Sequence, residues 1–296
     1  MDDWTWLGPP LDVRPLFPVE RGALADLLAA LEPDEWARPT VCPGWTVRDV
    51  AGHILHDYVR RLSAGRDRHP GPEFGSGETL AAFLARTNED FVRTARQISP
   101  RLLIDLLAHL GAQLDVEWSG REMGGPAGVD VAWAAPGREA PAWLDIAREY
   151  SELWVHQQQI RDAVGRPGAT APRLLHPVLD TFLRALPQTL HRTPAPVATT
   201  VRVRVPGPAG GRWTAVRRAD RWTLDHDAPA PAAGADAEAE VDAEVVIGAD
   251  TLWRLATRGI TVRTAHDRAT TRGDTTLSDA ALDIVSIVWE PSPEQP

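Results

Sequence analysis

Glu152 and His156 stand four positions apart in the segment Tyr150-Ser-Glu-Leu-Trp-Val-His-Gln-Gln-Gln-Ile-Arg-Asp162, whose apolar spacing is helical. At that spacing two side chains leave the same face of a helix with Cβ atoms roughly 6 Å apart, close enough to reach one ion. A Glu–His pair of this kind is often only a solvated surface pair. Here Tyr150, Leu153, Trp154 and Ile160 surround it with apolar bulk, which turns the pair toward a pocket. His53 lies in a second helical segment, at the edge of a stripe of Val47, Val50, Ala51, Ile54 and Tyr58. By itself it reads as a structural histidine. Together the three make a two-histidine, one-carboxylate set drawn from two helices, the way bundles build metal sites. Three protein ligands leave one coordination position open, as a catalytic zinc requires, although iron accepts the same donors.

Other residues of reactive type carry weaker signals. Cys42 precedes Pro43 just ahead of a helix N-terminus, where a thiolate can be stabilised, but a small packed residue is the plainer reading. Thr46 and His53 are seven positions apart, roughly 10 Å along a helix at about 1.5 Å per residue, which sets Cys42 away from His53 unless its loop folds back. Asp57, one turn from His53, is a candidate partner behind the ligands, whereas His56 reads as structural; Trp45 and Trp154 are candidates to wall a cavity. No His-Glu-x-x-His, Gly-x-Ser-x-Gly or phosphate-binding glycine loop is present.

The elements that must position these residues are helical up to about residue 190. Helices are expected over 18–31, from Val47 to about residue 64 behind a capping box of Thr46 and Asp49, over 78–97 with Leu80, Phe83, Leu84, Thr87 and Phe91 on one side, over 101–115, over 142–164 and over 174–190. A long loop is expected at 119–141. After His191 the periodicity changes. Residues 199–205, 212–216, 221–225 and 243–247 read as strands, 228–240 as a mobile loop, and 249–257 and 277–289 as helices. The division is therefore a helical bundle over 1–190 and a small α+β domain over 197–296.

Composition bounds the partners. Of 31 basic residues every one is Arg, which removes Schiff-base lysine chemistry, and 41 acidic residues give a net charge of −10. That balance argues against binding nucleic acid or an anionic membrane surface. No apolar run is long enough for a membrane span, the N-terminus is acidic, and a single cysteine allows no internal disulfide; together these favour the cytoplasm.

The segment Trp36-Ala-Arg-Pro-Thr-Val-Cys-Pro-Gly-Trp-Thr-Val-Arg-Asp-Val-Ala-Gly-His53 resembles the N-terminal signature of the mycothiol-dependent maleylpyruvate isomerase family, whose members are DinB-like four-helix-bundle metalloproteins. Glu152-Leu-Trp-Val-His156-Gln-Gln-Gln-Ile-Arg-Asp-Ala-Val-Gly resembles the segment that supplies that family's other two ligands. Gly248-Ala-Asp-Thr-Leu-Trp-Arg-Leu-Ala-Thr-Arg-Gly259, followed by Arg272-Gly-Asp, resembles the sterol-carrier-like C-terminal domain of such proteins. The resemblance implies a DinB-like bundle followed by a sterol-carrier-like domain, and His53, Glu152 and His156 as ligands of a divalent metal, zinc. It also implies mycothiol as cosubstrate, a small electrophilic substrate, and an Arg of the C-terminal domain that helps the reaction. Arg254, Arg258, Arg263, Arg268 and Arg272 compete for that role, and Arg272 is preferred. Asn88 fits a recurrent family position without an assigned role. The reaction expected is thiol-dependent isomerisation or S-transfer by a monomer or small homo-oligomer. A thiol-independent metal hydrolase or tailoring enzyme, or a non-catalytic metal- or small-ligand-binding protein, stays open as an alternative.

Overall fold

The computed structural model describes residues 4–227 and 241–288, so the loop expected at 228–240 and the end of the last expected helix, at Trp289, lie outside the described residues. The chain forms two compact units, one built from Asp12–Gly128 and Arg148–Ala169, the other from residues up to Leu11, Val129–Ala147 and Thr170–Ile287. The first is helical and the second mixes helices with a sheet, in agreement with the α plus α+β class expected from periodicity.

The helical unit contains α1 (Phe17–Ala29), α2 (Val47–Arg61), α3 (Leu80–Ala95), α4 (Pro100–Gly120) and, from Arg148 onward, α5 (Ala142–Val164). Helix α2 starts at a complete capping box: the Asp49 backbone N–H bonds the Thr46 side chain, and the Asp49 carboxylate accepts from the Thr46 backbone N–H at 3.0 Å. Asp49 also meets Arg96 at 2.8 Å, which ties the start of α2 to the end of α3. A π-helical turn, Leu62–Arg66, continues α2. Helices α1, α2, α4 and α5 close around a core that includes Leu24, Leu28, Val50, Ile54, Leu103, Leu114, Trp118 and Tyr150. Phe17 stands edge-on to Tyr150 at 5.5 Å and stacks on Trp118 at 6.3 Å, so α1, α4 and α5 share one aromatic contact. Helix α3 packs on α2 from outside. Its buried residues are Thr87, Val92 and Ala95; of the expected stripe of Leu80, Phe83, Leu84, Thr87 and Phe91, Thr87 is buried and Phe91 stacks on His56 of α2. The seam is close because Gly52 faces it: a Cβ there would lie 3.0 Å from the Ala95 methyl.

The mixed unit holds α6 (Pro172–Leu183), α7 (Leu186–Thr189), β1 (Thr200–Val205), β2 (Gly211–Arg217), β3 (Trp222–Asp227), β4 (Ala243–Val246), α8 (Ala249–Ala256), α9 (Val262–Arg268), β5 (Thr270–Gly273) and α10 (Thr275–Leu282). The strands form one sheet in the order β3-β2-β1-β4-β5, antiparallel except for the parallel pair β1–β4. The Val–Arg alternation of β1 follows from this. Val201, Val203 and Val205 are buried on one face, and Arg202 and Arg204 lie beside Glu244 on the other, at 4.0 and 3.7 Å. Two departures from expectation occur here. Strand β5 and helix α9 had no periodic signal; every residue of β5 is exposed, so it carries no alternation to read. The last helix ends at Leu282 instead of running to Trp289. Beyond it the backbone bonds elsewhere: Arg258 donates to the carbonyls of Asp283 and Ile284, each at 2.9 Å, and Ser286 N–H bonds the Ala256 carbonyl at 2.9 Å. No helix among the described residues is long and apolar enough to cross a membrane.

Candidate metal centre

Helices α2 and α5 run past each other with their polar positions in register. His53 faces His156 with ring centroids 4.6 Å apart and planes nearly perpendicular, and further along Arg61 pairs with Glu149. His53, Asp57 and Arg61 recur every four residues on α2; Glu149, Glu152 and His156 recur every three or four on α5. The capping box sets where this face of α2 begins, and the apolar residues around Glu152 and His156 press α5 against it.

The two rings are buried and the two carboxylates beside them are partly exposed. His53 Nε2 lies 3.6 Å from Asp57 Oδ2, and His156 Nε2 lies 3.3 Å from Glu152 Oε2. Asp57 is held on its other oxygen by Arg60 at 2.9 Å. His53 Nδ1 and His156 Nε2 are both buried with no hydrogen-bond partner. A cavity of about 20 Å³, room for about one water molecule, is lined by Asp57, Glu152, His156 and Glu149 above apolar Phe17 and Trp118. Thus the structure brings His53, Glu152 and His156 together, with Asp57 added. As they stand, no group of three or more His, Cys, Asp or Glu among the described residues is disposed to hold a metal ion. The donor set nonetheless fits a divalent cation. His156, Asp57 and Glu152 border a one-atom cavity, His53 stands against His156, each ring keeps an unpartnered nitrogen, and an unsatisfied buried polar atom is costly unless something fills its place.

Electrostatics divide the four groups. Burial pushes His53 down to about 4, against the pull of Asp57, so it is neutral near pH 7. Burial also opposes protonation of His156, but contact with Cys42 and Glu152 holds it well above the usual histidine range. Burial disfavours ionised Asp57 and Glu152. Even so, both lie below the ordinary carboxylate range, Asp57 because of His53 and Arg60, Glu152 because of its contact with His156.

The loop before α2 does fold back, contrary to the expectation that Cys42 stands apart. Thr40 N–H bonds the Trp45 carbonyl, and Trp45 N–H bonds the Cys42 carbonyl, each at 3.0 Å, around Gly44 at a positive φ of 77° that favours glycine. The turn places the Cys42 thiol 3.2 Å from Gln159 Oε1, the atom that also meets His156 Nδ1 at 2.8 Å. Gln159 went unnoticed in the sequence, although its i+3 spacing from His156 puts it on the same face. Trp45 packs 5.1 Å from His53, as a wall residue should. Trp154 instead is fully buried and donates to the Ala169 carbonyl at 2.8 Å, a structural role. Asn88 bonds His56 at 3.0 Å, and His56 stacks on Phe91, so both belong to the α2–α3 seam. In the mixed unit, Arg272 is exposed on β5, across from Glu244 in the strand register. Two of its competitors are engaged, Arg254 with Asp250 and Arg258 with the chain after α10.

The segment from Trp36 to His53 and the pair Glu152 and His156 fall inside a stretch, residues 17–161, that matches the model of the family described as mycothiol maleylpyruvate isomerase N-terminal domain. The isomerase-type domain so defined includes His53, Glu152 and His156 and excludes Arg272. Among curated proteins, an uncharacterised protein of Mycobacterium tuberculosis strain H37Rv is 29% identical over 201 residues, which cover 66% of this chain and 73% of that protein. Its counterpart in strain CDC 1551 gives the same figures. Among solved structures, a mycothiol-dependent maleylpyruvate isomerase is similar at a TM-score of 0.49 with 18% identity, over 91% of this chain and 95% of that one. A histidine-to-alanine mutant of such an isomerase matches with the same TM-score and coverage at 16% identity.

Proposed function

We propose that the chain is a cytoplasmic enzyme that uses mycothiol to isomerise a small electrophilic substrate of the maleylpyruvate kind, or to transfer the thiol to it. A divalent metal, zinc, would be held by His53, Glu152 and His156. The observation that carries this reading is the pair of buried, unpartnered ring nitrogens of His53 and His156 beside Asp57 and Glu152, inside a segment of the isomerase-type domain family.

A bound divalent ion supplies the positive charge that keeps an incoming thiol as thiolate at neutral pH. The chain's own residues do the rest. Asp57 sets a negative charge 3.6 Å from His53 Nε2, and Arg60 keeps Asp57 ionised. Glu152, with 35% of its side chain exposed, marks the open side by which thiol and substrate enter. Phe17 and Trp118 keep the opposite side of the cavity dry. In this reading Arg272 clamps the substrate carboxylate in bidentate fashion, a role that rests on the family resemblance alone.

The test is metal analysis of the purified protein together with a screen of unsaturated and activated electrophiles, with and without mycothiol. About one zinc per chain is expected, with turnover only when thiol is added. His53→Ala, Glu152→Ala and His156→Ala should each fall well below stoichiometric metal while keeping their helical circular dichroism. Full metal content in all three variants removes the site, and turnover without thiol removes the reaction.

A further inference from the structure

The two ring nitrogens of His156 have different fates. Nδ1 is 2.8 Å from Gln159 Oε1; Nε2 has no hydrogen-bond partner and lies toward Glu152 Oε2 at 3.3 Å. The same Gln159 oxygen accepts the Cys42 S–H at 3.2 Å. A side-chain amide has an accepting end and a donating end, and which one faces a ring decides which ring nitrogen carries the proton. The Cys42 proton is satisfied only by the oxygen. The oxygen in turn requires a donor from the ring, which must be Nδ1–H. We infer that Gln159 is the positioning residue of His156, accepting from Nδ1–H so that Nε2 is the nitrogen left for a bound ion beside Glu152, and that Cys42 fixes the orientation of the Gln159 amide.

This deepens the reading of His156 as a metal ligand and rests on it for its purpose, though not for its geometry. Gln159 is buried and reaches the ring from one turn along the same helix, so the pair is set by α5 itself. A neutral amide fixes the tautomer without adding a third carboxylate to Asp57 and Glu152. Partners of this type are worth roughly 10–100-fold in metal affinity.

The full-length protein labelled with ¹⁵N-histidine decides it. Long-range ¹H–¹⁵N correlations, recorded metal-free at a pH where His156 is neutral and assigned with a His156→Asn variant, read the tautomer directly. Zinc affinity is measured alongside by competition with a chromophoric chelator. Wild type should carry the proton on Nδ1. Gln159→Leu should lose that preference and bind zinc about 10–100-fold more weakly, and Gln159→Glu, which keeps an accepting oxygen, should restore both. Cys42→Ala should blur the tautomer, and Cys42→Ser should restore it. A wild-type proton on Nε2 overturns the inference even if Gln159→Leu does not fold. So does a folded Gln159→Leu protein with unchanged tautomer and zinc affinity. An Nδ1–H tautomer in a wild-type protein that binds no zinc supports the positioning role and sinks the metal reading instead.

Discussion

In the mixed unit, Asp180 accepts from the Trp213 indole at 2.7 Å and from Arg184 at 2.6 Å, and Arg184 gives its other terminal nitrogen to the Leu7 carbonyl. In the helical unit, His53 and His156 are just as enclosed, yet each leaves a ring nitrogen without a partner. Both clusters place charged or polar groups where water does not compensate them, and both take residues from separate elements. They differ in closure. The Asp180 cluster answers a guanidinium with a carboxylate and an indole N–H with the same carboxylate, so its charges are matched within the chain, with Arg184 Nε alone left unpartnered among these groups. The histidine cluster leaves His53 Nδ1 and His156 Nε2 unpartnered beside a small cavity bordered by His156, Asp57 and Glu152, which under the proposed function a bound ion would complete. An unpaired buried polar group costs about 1–3 kcal/mol, a cost that an ion bound at the two rings would relieve.

The largest effect should come from opening the closed cluster. Asp180→Ala leaves Arg184 buried without its counter-charge, and a loss of about 3–5 kcal/mol in urea unfolding is expected. His53→Leu, of similar bulk, removes a neutral buried ring with an orphaned nitrogen. The metal-free protein should keep its stability within about 1 kcal/mol or gain, while zinc binding is lost. If the two variants lose similar stability, the contrast between the clusters is wrong.

Glu20 sharpens the same contrast within the helical unit. It is buried on α1 and accepts from the Gln157 side chain, but its second oxygen has no partner, and burial raises it to about 7 despite the charge of Arg161. The folded state therefore holds the proton more tightly than the unfolded chain, whose carboxyl titrates near 4.5. Stability is fully present below about 4.5 and falls as pH rises to about 7, by about 3 kcal/mol at most, since one pKa unit is worth about 1.4 kcal/mol. Glu20→Gln keeps the accepting oxygen and removes the titration. Urea midpoints of wild type and variant should converge below pH 4.5 and separate in favour of the variant by pH 8. Parallel curves across that range would dismiss Glu20 as the cause.

A smaller effect tests how the open cluster is positioned. Thr46→Ala removes the side-chain half of the capping box that starts α2, and a cost of about 1 kcal/mol is expected in thermal unfolding. Zinc affinity should fall as well, because His53 lies two turns into that helix. A stability loss with unchanged affinity would show that packing alone holds His53 in place.

What the sequence made legible follows from where the physics is local. Helix periodicity, the Thr46–Asp49 box and the i,i+4 pairing of Glu152 with His156 depend on residues near in the chain, and α1, α2 and α5 lie where they were expected. The convergence of α2 on α5 was inferred from residue type, and the 4.6 Å ring contact is its structural counterpart. Long-range choices were not legible. The seam of α3 is set by Gly52 and Ala95, and an apolar stripe cannot say which of its members a neighbour will cover. The end of α10 is set by Arg258, far back in the chain. Edge strand β5, exposed throughout, left no pattern. The role of Gln159 needed the Cys42 turn, which hydrogen bonds between Arg38 and Val47 create.

The smallest expected effect concerns Cys42, which the structure brings to the edge of the open cluster. Its thiol is half-buried, donates to Gln159 and also stands against His156. Serine offers a shorter but stronger donor in the same place. Cys42→Ser should therefore keep the His156 tautomer, full zinc content and the thiol-dependent rate within about 0.5 kcal/mol, roughly twofold. The nucleophile and metal-ligand alternatives for this thiol both forecast more, because a serine hydroxyl neither attacks as a thiolate does nor replaces one on zinc. The measurement is turnover of the metal-loaded Cys42→Ser protein with mycothiol, beside its zinc content. A folded, fully loaded variant that has lost activity would make Cys42 a nucleophile. A folded variant that has lost zinc would make it a ligand. In either case the open cluster would include a fifth residue, and Gln159 would be holding that thiol as much as the histidine.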